Sequence, residues 1–402
     1  MKTGSLLFLF VLFLLPPDLL LAKEEARIWT DRDGRTVAAR FVEVSGSTVV
    51  LELENGARSR VPVTTLSLED QTLVASLRDK RPLVWPETVT VDTETLTVRE
   101  GEQDAENRQH HYETDNFEFI SNAPLTGRVV AEVAADLELI DAAFQALPWD
   151  WEPRSEESDL FKMYLAETEE DFIALGGTDN TSGGSRDDYA FVKFSAVGLR
   201  TLGSRYSFDP SRKEPGRVVS LGARLMTGEM RSLLKPWSAR GMENFLRRVS
   251  YRSGGFHFAG LETAIKREIK LDSDRGVSLD LDRLVARLRA DWGDENYRGV
   301  RQALAESHFD SMVLFYYFGY LDGDGSGEAL HRYYRDVARE RLVWRAYRES
   351  SGKTERPRPR DDSGSWPEWG TEHLDGLLDG RSDEELKAEI DAKFRAMGIR
   401  FE

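Results

Sequence analysis

The chain has no cysteine, which excludes disulfides, zinc–thiolate sites and thiol nucleophiles together. Histidine is scarce as well. The six present are His110, His111, His257, His308, His331 and His373, and no two have the i, i+4 spacing that sets two imidazoles on one helix face. Beyond residue 22 no apolar run is long enough to span a bilayer. Positive charge is the minority: 54 Lys and Arg against 71 Asp and Glu give a formal net charge of −17. A chain this acidic repels phosphate backbones, so no nucleic-acid partner is expected. No glycine-rich segment carries a P-loop Lys-Ser/Thr, and no Gly-x-Ser-x-Gly elbow lies between a strand and a helix.

What is present suggests several domains in 402 residues, with nine Trp and twenty Phe to fill their cores. Lys2, the apolar run 6–15 and the break at Pro16, Pro17 and Asp18 read as a signal peptide over residues 1–22. The expected localisation is therefore exported, in a periplasm, an envelope or the extracellular space. Retention of the segment as an anchor is the alternative.

Residues 23–80 read as a compact all-β unit. Strands are expected at 27–30, 37–44, 48–53 and 59–63, punctuated by Asp33-Gly34, Gly46 and Asn55-Gly56. Ser67 is a helix-cap candidate with Asp70 three residues on. Residues 81–111, with Pro82, Pro86 and an acidic Thr-rich stretch, read as a linker with one edge-like strand. Residues 112–350 alternate strands and helices before turning helical. Within them, 190–194 and 199–204 are expected to pair, and helices are expected at 129–147, 217–234, 237–251, 260–270, 282–290, 297–306 and 328–348. Residues 351–370 read as a second linker. A C-terminal helix is expected in 371–402, its capping box formed by Ser382 and Glu385.

Two resemblances follow. Arg27-x-Trp29-Thr30-Asp31, Gly34, Ala39, Phe41, Val49-x-Leu51, Val61-Pro62 and Leu66-Ser67-x-x-Asp70 resemble the Sla homology domain. This is an SH3-type barrel of endocytic adaptors that also occurs in exported proteins of planctomycete and verrucomicrobial bacteria. The likeness implies protein or peptide binding of a cytoskeletal or ubiquitin-linked kind, with Trp29, Phe41 and Asp70 as candidate binding residues.

The stretches Tyr112-Glu113-Thr114-Asp115-Asn116-Phe117, Leu225-Met226-Thr227, 236–245 and Phe315-Tyr316-Tyr317-Phe318 resemble gluzincin-type zinc peptidases. Such enzymes use His-Glu-x-x-His on one helix and a Glu from the next. The resemblance places that motif at Val219-Ser220-Leu221-Gly222-Ala223. Val219 and Ala223 then stand for the histidines, Ser220 for the base, and Arg240 for the third ligand. The fold class expected is thus multi-domain: a small all-β SH3-like barrel, then an α+β gluzincin-like domain with a helical C-terminal half. It implies no metal, no cofactor and no catalytic residue, and a former metal cleft lined by Val219, Ser220, Ala223, Trp237, Arg240 and Glu243. The function implied is a protein-binding adaptor with a pseudo-peptidase domain. The alternative is an active metal-dependent peptidase whose ligands are not recognised.

Two other features read as structural. Residues 322–328 (DGDGSGE) open like a calcium loop, but position 12 is Tyr333 rather than Glu. Arg332, Arg335, Arg339, Arg341, Arg345 and Arg348 interleave with Asp336, Glu340 and Glu349, as on an ion-paired helix face.

Overall fold

The structure is a computed structural model that describes residues 26–45, 48–78, 82–104, 106–149, 151, 160–186, 189–203, 205–252, 254–291, 301–351 and 369–401. The expected signal segment and nearly all of the 351–370 linker lie outside the described residues.

The first unit is an antiparallel meander of β1 (Arg27–Thr30), β2 (Thr36–Ser45), β3 (Thr48–Leu53) and β4 (Arg58–Pro62), followed by α1 (Leu68–Arg78). Gly34 and Gly56 take φ of 79° and 78°, the left-handed backbone that tight turns between strands demand. Alternation along the strands sends Trp29, Ala39, Val49 and Leu51 inward. There they meet Val63, Leu66 and Val74 in a core of their own. A bridge between Asp31 and Leu66 ties the two ends of the meander together, and the Ser67 hydroxyl accepts the Asp70 N–H at 3.2 Å to start α1.

The second unit begins earlier than expected. Short β5 (Thr88–Thr90), β6 (Arg99–Asp104) and β7 (Gln109–Glu113) lead to β8 (Phe117–Ser121), α2 (Gly127–Ala146), β9 (Phe161–Ala166), α3 (Glu169–Ala174), β10 (Gly183–Ser185) and β11 (Tyr189–Lys193). Six of these strands form one mixed sheet in the order β10-β11-β9-β8-β7-β6, parallel across β8/β9 and β9/β11. Then come β12 (Leu199–Leu202), β13 (Arg205–Phe208), α4 (Pro215–Thr227), α5 (Pro236–Phe245), β14 (Tyr251–Arg252) and β15 (Gly255–His257). Helices complete the chain: α6 (Glu262–Ser273), α7 (Leu281–Arg289), α8 (Arg301–Tyr320), α9 (Glu328–Ser351), α10 (Trp369–Leu378) and α11 (Asp383–Ala396). One large core joins sheet and helices.

Four expectations are corrected. Residues 81–111 are not a linker. Trp85 stacks on Phe258 and Tyr320 at 5.5 and 5.0 Å, and its indole N–H donates to the Gly319 carbonyl at 2.8 Å. β5 pairs with β15, and β6 is the edge of the large sheet. Strands β11 and β12 do not pair: β11 lies between β10 and β9, while β12 turns back on β13. The expected helix at 217–234 ends at Thr227, because Gly228 caps it and a 3-10 turn follows. Residues 371–402 hold the end of α10 as well as α11. The Ser382–Glu385 capping box is formed as expected.

The helix pair α5/α8 is held at backbone range. A Cβ on Gly241 would sit 2.4 Å from the Ser311 carbonyl oxygen and 2.9 Å from Phe315 Cβ. Only glycine permits that approach. Gly241→Ala is expected to push the helices apart and cost about 1–3 kcal/mol, as overpacking does. A lowered urea midpoint with unchanged slope would register it, and an unchanged midpoint would contradict it.

Candidate functional site

Pro215 opens α4 at a position where its missing N–H costs nothing. From there, i, i+3, i+7 spacing puts Arg217, Ser220 and Arg224 on one face. Val219 and Ala223 are buried away from solvent, and Gly222 lets α4 close on α2, since a Cβ there would lie 2.4 Å from Ile140 Cδ1.

Across from the polar face stands Glu243 of α5, its side chain 3% exposed. Arg224 grips it with both arms of its fork, Nε to Oε2 at 2.9 Å and Nη2 to Oε1 at 2.8 Å. The Ser220 hydroxyl donates to Oε1, and Arg231 Nη1 stands 3.6 Å from Oε2. Burial alone would raise the carboxyl's pKa. The two guanidinium groups and the hydroxyl outweigh it and bring it down to about 2. Glu243 is therefore an ionised structural anchor.

This network forms one wall of a pocket of ≈ 290 Å³. Five arginines line it, Arg217, Arg224, Arg247, Arg248 and Arg275, against only two carboxylates, Glu243 and Asp272. A π turn after α5 (Leu246–Ser250) carries Arg247 and Arg248, and π turns gather at functional sites more often than elsewhere. Gly216 admits Arg247, whose Cγ would be 3.0 Å from a Cβ there. Arg248 is spoken for by Glu268 at 3.0 Å and Asp272 at 2.7 Å. Arg247 is not: its Nη2 donates to the Asn244 side-chain oxygen at 2.8 Å, and its buried Nε has no hydrogen-bond partner among the described residues.

Asn244 also orders His308. Its amide nitrogen lies 2.8 Å from His308 Nδ1. Burial first, and then the positive charge of Arg240, Arg247 and Arg224, depress the His308 pKa to about 4. The ring is neutral, so Nδ1 accepts and the ring proton sits on Nε2, an assignment made from the hydrogen-bond network.

Several expected site residues turn out to be framework. Trp237 does not line a cleft; it is buried between Phe318 and Tyr333, at centroid distances of 5.5 and 6.2 Å. Arg240 does not line the pocket either; it donates to the Ser307 hydroxyl at 3.0 Å. In the first unit Trp29 is buried and donates to the Ala39 carbonyl. Asp70 is buried too, accepting from Arg27 at 2.6 Å and from the Thr30 N–H at 2.7 Å. Neither presents its functional group to a ligand. Phe41 is half-buried, 6.5 Å from Trp29. At residues 322–328, Asp322 is bound by Arg381 at 2.6 Å and the glycines turn the chain from α8 into α9.

Zinc does not fit the α4/α5 pair. A divalent cation needs several converging lone-pair donors, whereas two side chains there are apolar and the one carboxylate is already gripped by arginine. Among the described residues no group of three or more His, Asp or Glu is placed to hold a metal, and no helix is long and apolar enough to cross a membrane.

The family model for SLA1 homology domain 1 matches residues 21–81. That span takes in the β meander and α1. No curated protein matches the chain, and no solved structure matches it.

Two outcomes are expected. His308 and His331 are neutral when folded, with burial holding His331 at about 3. The unfolded chain protonates near 6.5, so stability is complete above that value and drains away as pH falls toward 3–4. Between pH 7 and 5 the loss is on the order of 1–2 kcal/mol for each ring; urea midpoints that coincide at the two pH values would refute this. Glu243→Gln leaves Arg224 and Arg231 with a neutral partner in a buried setting. It is expected to cost about 3–5 kcal/mol, measured at pH 7.

Proposed function

We propose that this chain is an exported, non-catalytic adaptor whose N-terminal unit binds protein or peptide ligands. The match of residues 21–81 to SLA1 homology domain 1 carries the reading, because that module points to protein interaction. Binding is assigned to the unit's surface, since Trp29 and Asp70 are committed to its interior. Ile28 and Leu68 are exposed apolar side chains, 59% and 51% accessible, that offer contact area there.

The second unit is read as a pseudo-peptidase. Two things support this: the stretches that resemble gluzincin peptidases, and the replacement of the required ligands by Val219, Ser220, Ala223 and Arg240. Glu243, the carboxylate left in that region, is neutralised by Arg224. Export rests on the apolar run at 6–15 and the break after it. The alternative, an active metal-dependent peptidase, requires ligands from elsewhere in the chain.

Screening the full chain against a peptide library tests the adaptor role. Binding should be saturable, and Ile28→Asp or Leu68→Asp should weaken it at least tenfold without changing the circular dichroism spectrum. Absence of any retained peptide would remove the adaptor reading. Stoichiometric zinc in protein purified without chelator, together with peptide cleavage that a chelator abolishes, would establish the alternative.

A further inference from the structure

The pocket between α4, α5, α6 and α8 holds more positive charge than its own carboxylates can compensate. Glu243 is matched by Arg224 and Arg231, and Asp272 by Arg248, with Arg275 Nη1 3.6 Å away. Among the described residues Arg217 reaches a carboxylate only at 3.9 Å, in Glu214, and otherwise donates to the Ser182 hydroxyl at 3.1 Å. Arg247 has no carboxylate within ion-pair distance among the described residues, and its buried Nε is unpartnered. Burial disfavours the charge on Arg247, and although Glu243 attracts it, the repulsion of Arg248, Arg217 and Arg224 adds to the burial. A protein of net charge −17 that gathers five guanidinium groups around one pocket is holding them against their mutual repulsion.

We propose that this pocket binds a dianionic oxyanion of the phosphoryl type, as free phosphate or as the terminal group of a phosphate monoester, with Arg247 and Arg217 as its principal donors and Arg275 at the rim. Guanidinium forks match tetrahedral oxyanions through paired N–H donors. His308, with its proton on Nε2, adds a neutral donor to the same lining. A monocarboxylate offsets one charge where the lining has an excess of several, so a dianion suits it better. The pocket is also larger than one oxyanion requires, which leaves room for part of a molecule carrying the group. No bond is made or broken; the assignment is to binding alone. It stands on the pocket's geometry and not on the adaptor reading, so each can fail without the other.

Calorimetric titration of the full chain with inorganic phosphate and with phenyl phosphate, at pH 7.5 and fixed ionic strength, tests it. Saturable one-to-one binding is expected, with acetate and chloride binding at least tenfold more weakly. Tighter binding of phenyl phosphate would identify the ligand as a monoester, and tighter binding of phosphate would identify the free ion; either result supports the site. Arg247→Gln should weaken binding at least tenfold while leaving peptide capture by the N-terminal unit intact. Should Arg247→Gln fail to fold, Arg275→Gln decides, because that side chain is 71% exposed and dispensable to the core; it should weaken binding at least threefold. Heat signals no different from those of chloride, acetate binding as tightly as phosphate, or unchanged affinity in the folded variants would each overturn the proposal.

Discussion

A buried carboxylate and the arginines around it organise the second half of this protein. Glu243 sits on α5, Arg224 on α4, and Arg231 on the turn between them. A carboxylate that is 3% exposed is tolerated only when its charge is answered at hydrogen-bond range. Here the answer is a two-pronged guanidinium grip reinforced by the Ser220 hydroxyl. That requirement fixes the rotation of α4 and hence the direction in which Arg217 faces. Gly222 and Gly241 then let the two helices seat against α2 and α8 without room for a methyl group. Electrostatics sets the orientation of the pair, and close packing sets its depth.

The same anchor separates two chemistries that share a scaffold. Metal hydrolysis needs lone pairs pointing at a common centre. This pair of helices presents N–H groups there instead, beside a neutral His308 and an ionised Glu243 whose oxygens are already engaged by Arg224 and Ser220. A lining rich in N–H donors favours anions, as one rich in converging lone pairs favours metals.

The sequence made some of this legible and hid the rest for identifiable reasons. The β meander was readable because Asp33-Gly34 and Asn55-Gly56 are local turn chemistry and strand alternation is a local pattern; positive φ at both glycines followed. The Ser382 capping box was readable for the same reason. Residues 81–111 were misread because their polar, Thr-rich composition resembles a linker, while their role depends on Gly319 and β15, far away in the chain. The pocket was missed in a different way. The peptidase resemblance directs attention to Val219, Ser220 and Ala223 as metal-ligand positions and away from Arg217 and Arg224, although their spacing with Ser220 marks a single helix face. Arg247 and Arg248 carried no readable signal, because adjacent residues face the same region only where a π turn distorts the helix. Trp29, Phe41 and Asp70 were identified by likeness to a family, and likeness alone does not separate residues that build a module from residues that work for it.

The long reach of Trp85 has a consequence for how the protein is made. Its indole is bonded to a carbonyl 234 positions further along, and β5 waits for β15 before it has a neighbour. During synthesis the N-terminal meander has all its strands at hand early, whereas the second unit cannot complete itself until α8 has emerged. Non-local closure of this kind is slow, and it leaves apolar surface uncovered in the interval. A fragment begun at residue 112 would lack Trp85, Val89 and the edge strand β6. It would be left with a permanent version of that transient exposure.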